Sequence, residues 1–289
     1  MINNINKKNF DSADGRIARA DLLGMIYHAR SGHPGGSLSC VDLIGLIFEH
    51  ILICSQNISR LNGDFILSKG HGCPALYAVA GWAKLISKST FESFRKINGV
   101  LQGHPNILTT PWVGTSTGSL GQGFSVAIGM ALSYKYKQQN RKVFVLLGDG
   151  ELQEGEVWEG AMFASHNKLN NLCAIVDFNK LQSDNLNSNI VGLEPLAEKW
   201  RSFGWNVLEI DGHDYRQIRN SLEAFELNHE SPTVVIANTI KGKGISFMEN
   251  MSAWHGSVTM KQNEFELALR DLGFKDSEIG DYLSGKAWN

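Results

Sequence analysis

The sequence predicts an α/β protein with a doubly wound, mostly parallel sheet and helices on both faces. Short, continuously apolar runs recur through the second half of the chain, and stretches with helical spacing of apolar residues separate them. Such runs are typical of strands that crossover helices bury on both faces. No internal repeat or linker divides the pattern. We therefore expect a single domain over residues 15–289, after a short flexible N-terminal arm over residues 1–14.

The individual elements follow from this alternation. In the first half, apolar spacing predicts helices over 16–30 and 37–53, separated by a Gly- and Pro-rich segment that cannot be helical throughout. A short apolar run at 65–67 precedes a loop at 68–72, a helix to about residue 83, and a long helix within 118–136. The predicted strands are 143–147, 172–176, 207–210 and 233–237, and the helices between them are 154–166, 195–203 and 215–225.

The composition limits the classes of function. The chain has 289 residues, 43% hydrophobic and 19% charged, which is ordinary for a globular protein. Its formal net charge of −2 gives no basic footprint for nucleic acid or for an anionic membrane, so we expect neither as a partner. No continuous apolar run approaches the roughly 18 residues that span a bilayer.

The cysteines and the N-terminal segment indicate the cellular compartment in which the protein is expected. The four cysteines form no Cys-x-x-Cys pair and have mostly apolar flanks; they are Cys40, Cys54, Cys73 and Cys173. We expect buried, reduced thiols. The polar N-terminus lacks the apolar core of a signal peptide, so a cytoplasmic location is expected.

Polar residues follow two apolar runs at the point where each ends. Gly148-Asp149-Gly150 follows one predicted strand, and Asn179 follows the next. Because parallel strands end at the same edge of a sheet, Asp149 and Asn179 should lie close together. Their oxygens, with a backbone carbonyl, suit Mg²⁺, and the adjacent glycine amides can bind a phosphate. The alternative is that Gly148-Asp149-Gly150 is a simple turn and Asn179 a capping residue. This alternative is disfavoured because both neighbouring strands end in a residue with a metal-binding oxygen.

Four of the nine histidines lie in loops rich in Gly or Pro: His33, His71, His104 and His255. Imidazole can hydrogen-bond a phosphate or hydroxyl and can move a proton near neutral pH. Each alone could be an ordinary turn residue, but four such loops in one chain favour a pocket. They lack the spacing of zinc ligands. The other five histidines are interpreted as structural or surface residues; they are His28, His50, His166, His213 and His229.

Two glycine-rich segments give weaker signals. The segment 115–123 opens a long helix and offers backbone groups to a flat ring or phosphate. Lys241-Gly242-Lys243-Gly244 follows the last predicted strand but lacks the spacing of a nucleotide-binding phosphate loop.

Taken together, these motifs resemble the N-terminal, diphosphate-binding half of the transketolase family over about residues 12–270. The motifs that carry the resemblance are Ser31-Gly32-His33-Pro34-Gly35, Lys69-Gly70-His71-Gly72, Gly103-His104-Pro105, Gly118-Ser119-Leu120-Gly121-Gln122-Gly123, Gly148-Asp149-Gly150, Asn179 and Lys241-Gly242-Lys243-Gly244. The resemblance implies thiamine diphosphate as cofactor, with Mg²⁺ or another divalent cation such as Ca²⁺ or Mn²⁺. It also implies transfer of a two-carbon ketol group from a ketose phosphate to an aldose phosphate.

The resemblance also implies roles for individual residues. The metal ligands would be Asp149, Asn179 and the carbonyl of Leu181. Gly150, His71 and Asn179 would bind the diphosphate end of the cofactor. The backbone of Gly118, Ser119 and Leu120 would face the aminopyrimidine, and His33, His104 and His255 would line the pocket around the reactive carbon. Glu154 would belong to a carboxylate network between paired cofactor sites, although a helix N-terminal Glu is its simpler interpretation.

Two departures from the family pattern shape the expectation. Ser119 stands where full-length transketolases usually have Pro, and Leu181 where Ile is common. The chain is also less than half as long as those enzymes. The resemblance therefore implies a separate C-terminal subunit of roughly this chain's own size, which supplies the glutamate that activates the cofactor. Two chains of each kind would form a heterotetramer.

Two alternatives stay open. One is another thiamine enzyme: the decarboxylase subunit of a 2-oxo-acid dehydrogenase complex, or a 1-deoxyxylulose-phosphate synthase. These classes share the Gly-Asp-Gly and Asn pair but do not usually combine it with loops like those of His33, His104 and His255. The other is a non-catalytic subunit that binds thiamine diphosphate, which the intact set of motifs disfavours.

Overall fold

The computed structural model describes residues 9–55, 57, 61–256 and 258–289. The strands are β1 (Phe65–Leu67), β2 (Val143–Gly148), β3 (Leu172–Phe178), β4 (Asn206–Asp211) and β5 (Thr233–Asn238). The α-helices are α1 (Ser12–Ala29), α2 (Pro34–Ser55), α3 (Leu61–Asp64), α4 (Cys73–Trp82), α5 (Gln122–Tyr136), α6 (Gly155–His166), α7 (Asn187–Ile190), α8 (Leu196–Ser202), α9 (Tyr215–Leu227), α10 (Gln262–Asp271) and α11 (Asp276–Ser284). Short 3₁₀ helices lie at Gly70–Gly72, Lys88–Ser93, Gly150–Gln153, Ser252–Trp254 and Lys286–Trp288.

The five strands form one parallel sheet in the order β1-β2-β3-β5-β4. All four predicted strands are confirmed, and the short run at 65–67 is the fifth. Helices and strands therefore alternate through the second half of the chain as the apolar runs indicate. Because every strand is parallel, all carboxyl ends lie at one edge of the sheet, and the loops that follow them share that edge.

Helices cover both faces of the sheet, which confirms the doubly wound class. Along β2, Phe144 and Leu146 pack into a core formed mainly with α1, α2, α4 and α9. Val143, Val145 and Leu147 point to the opposite core, formed with α5, α6 and α8. This alternation is the two-residue period of a strand with apolar surroundings on both sides.

The last residues of the predicted N-terminal arm are part of the fold. Residues 1–8 of the predicted arm lie outside the described residues. However, α1 begins at Ser12, with the Asp11 side chain accepting hydrogen bonds from the amides of Ala13 and Asp14. Phe10 is fully buried. The prediction of a flexible segment is therefore wrong for residues 10–14, because a helix cap and a buried aromatic ring fix the chain there.

One described helix, α2, is long and apolar enough to cross a membrane by length and composition, with a mean hydropathy of 1.8 in its most apolar window. Small and polar residues interrupt the apolar run in α2, as the sequence shows, but the mean hydropathy of the helix is still high enough to meet this criterion. Of that window, 83% is buried inside the fold. The helix lies against α1, α4 and α9, as a core helix does.

The helix also begins earlier than predicted, with Pro34 in its first turn. Pro is well tolerated there because the first amides of a helix have no intrahelical acceptor.

The exposure of one cysteine differs from the prediction. Cys40, Cys73 and Cys173 are buried free thiols as predicted, whereas Cys54, near the end of α2, is exposed.

Replacing Gly45 with Ala tests whether the Phe10 ring packs against α2 at this glycine. A Cβ at Gly45 would lie 2.3 Å from a ring carbon of Phe10. We expect Gly45→Ala to lower the free energy of unfolding in urea by about 1–3 kcal/mol. The control is Gly280→Ala in α11, whose Cβ would meet no atom within 4 Å; it should stabilise by about 0.5–1 kcal/mol. Equal stabilisation by both substitutions would show that Phe10 does not occupy this position.

Candidate functional site

The carboxyl ends of β2 and β3 bring Asp149 and Asn179 together, as the sequence predicts. The strands pair with Gly148 opposite Asp177, so the two residues follow neighbouring strand ends. The amide of Lys180 donates to the Asp149 carboxylate, and the amide of Gly150 donates to its other oxygen at 2.8 Å. Lys180 has a φ of 67°, which turns the chain directly after Asn179. The two strand ends therefore form one continuous polar edge.

The Asp149 carboxylate is costly to ionise in this position. It is only 3% exposed. Burial, followed by the nearby negative charge of Asp177, raises its pKa to about 6, although amide hydrogen bonds from Lys180 and Gly150 oppose the rise. A divalent cation beside such a carboxylate would offset the cost of its charge. The electrostatics at this edge therefore suit a cation.

The third implied metal ligand, the carbonyl oxygen of Leu181, accepts a hydrogen bond from Lys241. The Lys241 ammonium lies 2.8 Å from the Leu181 oxygen and 3.3 Å from the Gln182 oxygen, and it also contacts Nδ1 of His255. A carbonyl oxygen has two lone pairs, so a second acceptor direction remains on Leu181. Lys241 is completely buried, and its pKa is lowered to about 8 by burial and then by the charge of Lys69.

The donor set fits the metal and diphosphate that the resemblance implies. Asp149, Asn179 and Leu181 offer hard oxygen atoms of the kind Mg²⁺ prefers. The side chain of Gln182 lies against Gly150, because a Cβ on that glycine would be 3.1 Å from Gln182 Cγ. The buried Nε2 of Gln182 has no hydrogen-bond acceptor among the described residues. This amide is available to a phosphate oxygen held at the same edge.

A buried ion pair lies directly beneath this edge. Lys69 Nζ donates to Asp177 Oδ2 at 2.5 Å and to the carbonyl of Gly36 at 3.0 Å. Ser39 Oγ donates to the same carboxylate at 2.6 Å, and Thr239 donates to its other oxygen. These contacts lower the pKa of Asp177 despite its burial. The pair joins the loop after β1, the end of β3, the start of α2 and the loop after β5.

The four loop histidines converge on one pocket. Ring centroids of His33 lie 5.4 Å from His71, 6.4 Å from His104 and 6.3 Å from His255. His71 and His255 are 5.5 Å apart. The structure therefore brings the four predicted loops together, and the roles of their histidines stay predictions. His104 is the only one of the four that is exposed, so it stands at the pocket's open side.

Glycines permit the close approach of these loops. A Cβ on Gly118, which has a φ of 155°, would lie 3.2 Å from the imidazole of His104. A Cβ on Gly70 would lie 2.9 Å from the backbone nitrogen of Gly118. The loop of His71 therefore touches the backbone of Gly118, and the imidazole of His104 packs against the same glycine. A Cβ would clash at Gly70, and the positive φ of Gly118 disfavours any other residue there.

The pocket holds its histidines neutral. Burial and then the Arg95 charge lower the pKa of His33 to about 4. Burial and then Lys241 lower that of His255 to about 3. The pKa of His71 lies well below its ordinary value through burial and Lys69, and that of His104 is lowered by burial and Arg95. Neutral imidazoles at neutral pH can each offer one N–H donor and one nitrogen acceptor.

Arg95 determines which nitrogen of His33 carries the hydrogen. Its guanidinium lies 3.3 Å from His33 Nδ1 and 2.7 Å from Ser31 Oγ. Arginine has donors only and stays charged, so Nδ1 must accept and the hydrogen must reside on Nε2. Arg95 therefore presents His33 to the pocket as an Nε2–H donor.

A buried glutamate that the sequence interpretation missed links three loops. Glu151 accepts hydrogen bonds from the amide of Gly121 at 2.8 Å, the amide of Gly148 at 3.0 Å and Ser68 Oγ at 2.5 Å. It is buried, and burial raises its pKa. Glu151 therefore holds the glycine-rich turn before α5 against the end of β2.

The remaining predicted site residues lie along the rim. Ser119 is exposed and Leu120 is partly buried in the turn before α5. Glu154 is exposed at the start of α6. A Cβ on Gly121 would lie 3.4 Å from Glu154 Cβ, which places Glu154 beside this turn. The roles of these three residues stay predictions. The other missed residues, Lys69, Arg95, Asp177, Gln182 and Lys241, gave no local signal beyond their position in or near the motifs.

A comparison with known families agrees with the fold and the site. The chain matches the family described as "Transketolase, thiamine diphosphate binding domain" over residues 14–280. It is 34% identical over 270 residues to an apulose-4-phosphate transketolase subunit of Phocaeicola vulgatus, covering 93% of this chain and 95% of that protein. It is 39% identical over 243 residues to the 6-deoxy-6-sulfo-D-fructose transketolase subunit SqwG of a Clostridium species, covering 83% and 88%. The chain belongs to the transketolase family, as an N-terminal, thiamine diphosphate-binding subunit.

Longer transketolases match this chain over part of their length. Human transketolase is 38% identical over 247 residues, which cover 84% of this chain and 39% of the human protein. The crystal structure of the Campylobacter jejuni transketolase superposes with a TM-score of 0.77 at 27% identity, covering 99% of this chain. The chain spans about half of that enzyme, 48% of its length.

The assignment of the His33 tautomer can be checked by NMR. With ¹⁵N-labelled histidine, we expect His33 to show a protonated Nε2 and a non-protonated Nδ1 at pH 7. Arg95→Leu should increase the population with hydrogen on Nδ1, because the obligatory donor is gone. The control is Lys96→Leu, which removes a neighbouring charge whose ammonium bonds instead to the carbonyl of His28. A hydrogen on Nδ1 in the wild-type chain would contradict the assignment.

The lowered histidine pKa values predict a pH dependence of stability. The folded pKa values of His33 and His255, about 4 and about 3, lie below the unfolded value of roughly 6.5. The unfolded chain therefore binds more protons, so stability is full above pH 6.5 and falls as the pH drops toward 4. The urea midpoint of the cofactor-free chain should decrease over this range, and less so for His33→Asn. An unchanged slope in that variant would contradict a neutral His33.

Proposed function

We propose that this chain is the cofactor-binding subunit of a two-chain transketolase, which transfers a two-carbon ketol group from a ketose to an aldose. The observation that carries the proposal is the set of four neutral histidines around one pocket, adjoining the oxygen-rich edge formed by Asp149 and Asn179. The edge alone suits a metal and a diphosphate. The histidines add the donors and acceptors that a polyhydroxylated substrate requires.

In this proposal, Asp149, Asn179 and the Leu181 carbonyl hold a divalent cation, Mg²⁺ or alternatively Ca²⁺ or Mn²⁺. The diphosphate of the cofactor is bound by Gly150 and His71, and we add the unpartnered amide of Gln182. The loop Gly118, Ser119 and Leu120 faces the aminopyrimidine. When bound, thiamine diphosphate supplies a nucleophilic carbon and an electron sink for cleavage of a carbon–carbon bond.

The chain's own residues bind and orient the sugar. His33 offers its Nε2–H, fixed by Arg95, to a substrate oxygen. His104 stands at the open side of the pocket, and His255 is held through Nδ1 by Lys241. Because these imidazoles are neutral, each can accept a proton from a substrate hydroxyl at its free nitrogen without first losing one to solvent, and can donate a hydrogen bond from its N–H. Partial burial limits the water that competes for the same donors.

Two observations support a separate partner chain. The relatives that this chain matches over most of their own length are named as transketolase subunits. In addition, Val126 on α5 and Met162 and Phe163 on α6 are exposed large apolar side chains on the two helices that begin beside Glu154 and Gly121. Such apolar surface is typical of an assembly interface. We propose a heterotetramer of two plus two chains, in which the partner's glutamate activates the cofactor and Glu154 lies near the contact between sites.

The names of the relatives also bear on the substrate. One is named for apulose 4-phosphate and another for 6-deoxy-6-sulfo-D-fructose, so both names specify a sugar with an anionic terminal group. We propose that this enzyme likewise uses ketose and aldose phosphates or sugars with an equivalent anionic end. Neither a nucleic acid nor a membrane has a part in this proposal, and a cytoplasmic location stays a prediction.

Reconstitution tests the proposal. The purified chain with thiamine diphosphate, Mg²⁺ and its C-terminal partner should transfer ketol groups from a ketose phosphate, whereas the chain without the partner should be inactive. His104→Ala should lower kcat/KM by about 10²–10⁴-fold because a proton-transfer group is lost. Cofactor affinity should stay unchanged. Turnover by the chain alone would contradict the two-chain proposal, and decarboxylation of pyruvate instead of ketol transfer would favour the alternative thiamine enzymes.

The metal site has its own control within this experiment. Removing the metal with EDTA should weaken cofactor binding, measured by calorimetry, and so should Asp149→Asn in the presence of Mg²⁺. Asp184→Asn is the matched control, because Asp184 is an exposed carboxylate near the same strand end. If Asp149→Asn bound the cofactor as tightly as Asp184→Asn did, the assignment of Asp149 to the metal would be wrong. Binding without any turnover in the reconstituted pair would favour a non-catalytic subunit.

A further inference from the structure

Three potential metal ligands from two helices converge far from the pocket described above. His50 and Cys54 lie one helical turn apart on α2, so their side chains share a face. Glu226 approaches from α9, with Oε1 3.1 Å from His50 Nε2. Cys54 Sγ lies 3.7 Å from the same nitrogen, and the three ligand atoms all lie within 4.8 Å of one another.

These separations match those of a tetrahedral zinc site. With Zn–N and Zn–O near 2.1 Å and Zn–S near 2.3 Å, tetrahedral angles place N and O roughly 3.4 Å apart and S and N roughly 3.6 Å apart. The observed His50–Glu226 and Cys54–His50 separations differ from these values by a few tenths of an ångström. The third separation, between Cys54 Sγ and a carboxylate oxygen of Glu226, is within 4.8 Å, so side-chain rotation has to bring these two ligands to tetrahedral spacing.

The surroundings hold the ligands in place. The His50 imidazole packs edge-on against Phe144, with ring centroids 5.6 Å apart. The Lys142 ammonium lies 3.6 Å from Glu226 Oε2 and over the Phe225 ring. Lys142 therefore orients the carboxylate through the oxygen that does not face His50. Cys54 is a free, exposed thiol, so solvent reaches the cluster and can supply a fourth ligand.

The cluster is separate from the cofactor edge. Phe144, which His50 contacts, is at the amino end of β2, whereas Asp149 follows the carboxyl end. The two residues are five steps apart along an extended strand, which is about 17 Å at ~3.3 Å per step. The cluster therefore does not belong to the pocket of loop histidines.

We propose that His50, Cys54 and Glu226 form a binding site for Zn²⁺, with water as the fourth ligand. Thiolate, imidazole and carboxylate together suit a borderline-soft ion, and the two negative ligands balance its charge. On binding, the Cys54 thiol releases its proton to solvent. The hydrogen by which His50 Nε2 donates to Glu226 also leaves to solvent, while Nδ1 carries the remaining hydrogen of a neutral imidazole, so that the Nε2 lone pair becomes a ligand. The ion bridges the ends of α2 and α9. Mg²⁺ does not compete, because it requires an octahedral set of oxygen ligands.

Cobalt binding tests this site directly. The chain, freed of metal with EDTA and then supplied with thiamine diphosphate and Mg²⁺, is titrated with Co²⁺. We expect a thiolate-to-cobalt charge-transfer band and the visible bands of tetrahedral Co²⁺, with one equivalent bound and displaced by Zn²⁺. Cys54→Ser should abolish the charge-transfer band. His50→Gln and Glu226→Gln should each weaken binding by at least about tenfold.

His229→Gln is the matched control, because His229 is an exposed histidine three residues beyond Glu226. It should bind Co²⁺ as the wild-type chain does. Circular dichroism checks that each variant is folded, which the exposed position of Cys54 favours. Absence of the charge-transfer band in the wild type, its persistence in Cys54→Ser, or equal affinity in His50→Gln would each overturn the proposal. The result is independent of turnover, so it does not depend on the proposed function.

Discussion

The buried ion pair between Lys69 and Asp177 is the interaction on which the architecture of the site depends. The two residues are 108 positions apart, yet both are almost fully buried, and Ser39, Thr239 and the Gly36 carbonyl complete their hydrogen bonds. A buried charge that loses its partner costs about 3–5 kcal/mol. The pair is therefore satisfied only when the ends of β1, β3 and β5 and the start of α2 are assembled together.

The same ion pair also fixes the positions of residues that are predicted to act in the site. His71 comes two residues after Lys69, and Asn179 two residues after Asp177, so fixing the pair fixes the loop of a pocket histidine and a predicted metal ligand. The same lysine contributes to the charge that keeps the imidazoles neutral, together with Lys241 and Arg95. A pocket with surplus positive charge and uncharged imidazoles suits an anionic cofactor and a neutral hydroxylated substrate part. The Lys69–Asp177 pair therefore influences both the positions of the pocket residues and the protonation state of the histidines.

The features that could be predicted from the sequence are those that follow from a local pattern of residues. The apolar runs predicted the strands, and parallel pairing then placed Asp149 near Asn179. Contacts between distant segments left no such pattern, so Glu151 and Lys241 were not assigned roles although each links separate loops. Cys54 was expected to be buried because its sequence neighbours are mostly apolar. In a helix as apolar as α2, periodicity does not show which positions face solvent.

The two ends of β2 differ in chemistry for a physical reason. At the carboxyl end, strand ends and turns expose backbone carbonyls and amides, and these surround Asp149 with hard oxygen and N–H groups. At the amino end, two packed helices bring side chains together, and a thiol and an imidazole one turn apart are softer ligands. Hard Mg²⁺ and borderline Zn²⁺ would therefore partition between the proposed sites by ligand type. Occupation of the distant site would stabilise the contact of α2 with α9. Since α2 also carries Ser39 and follows His33, the packing of this one helix connects both edges of the sheet.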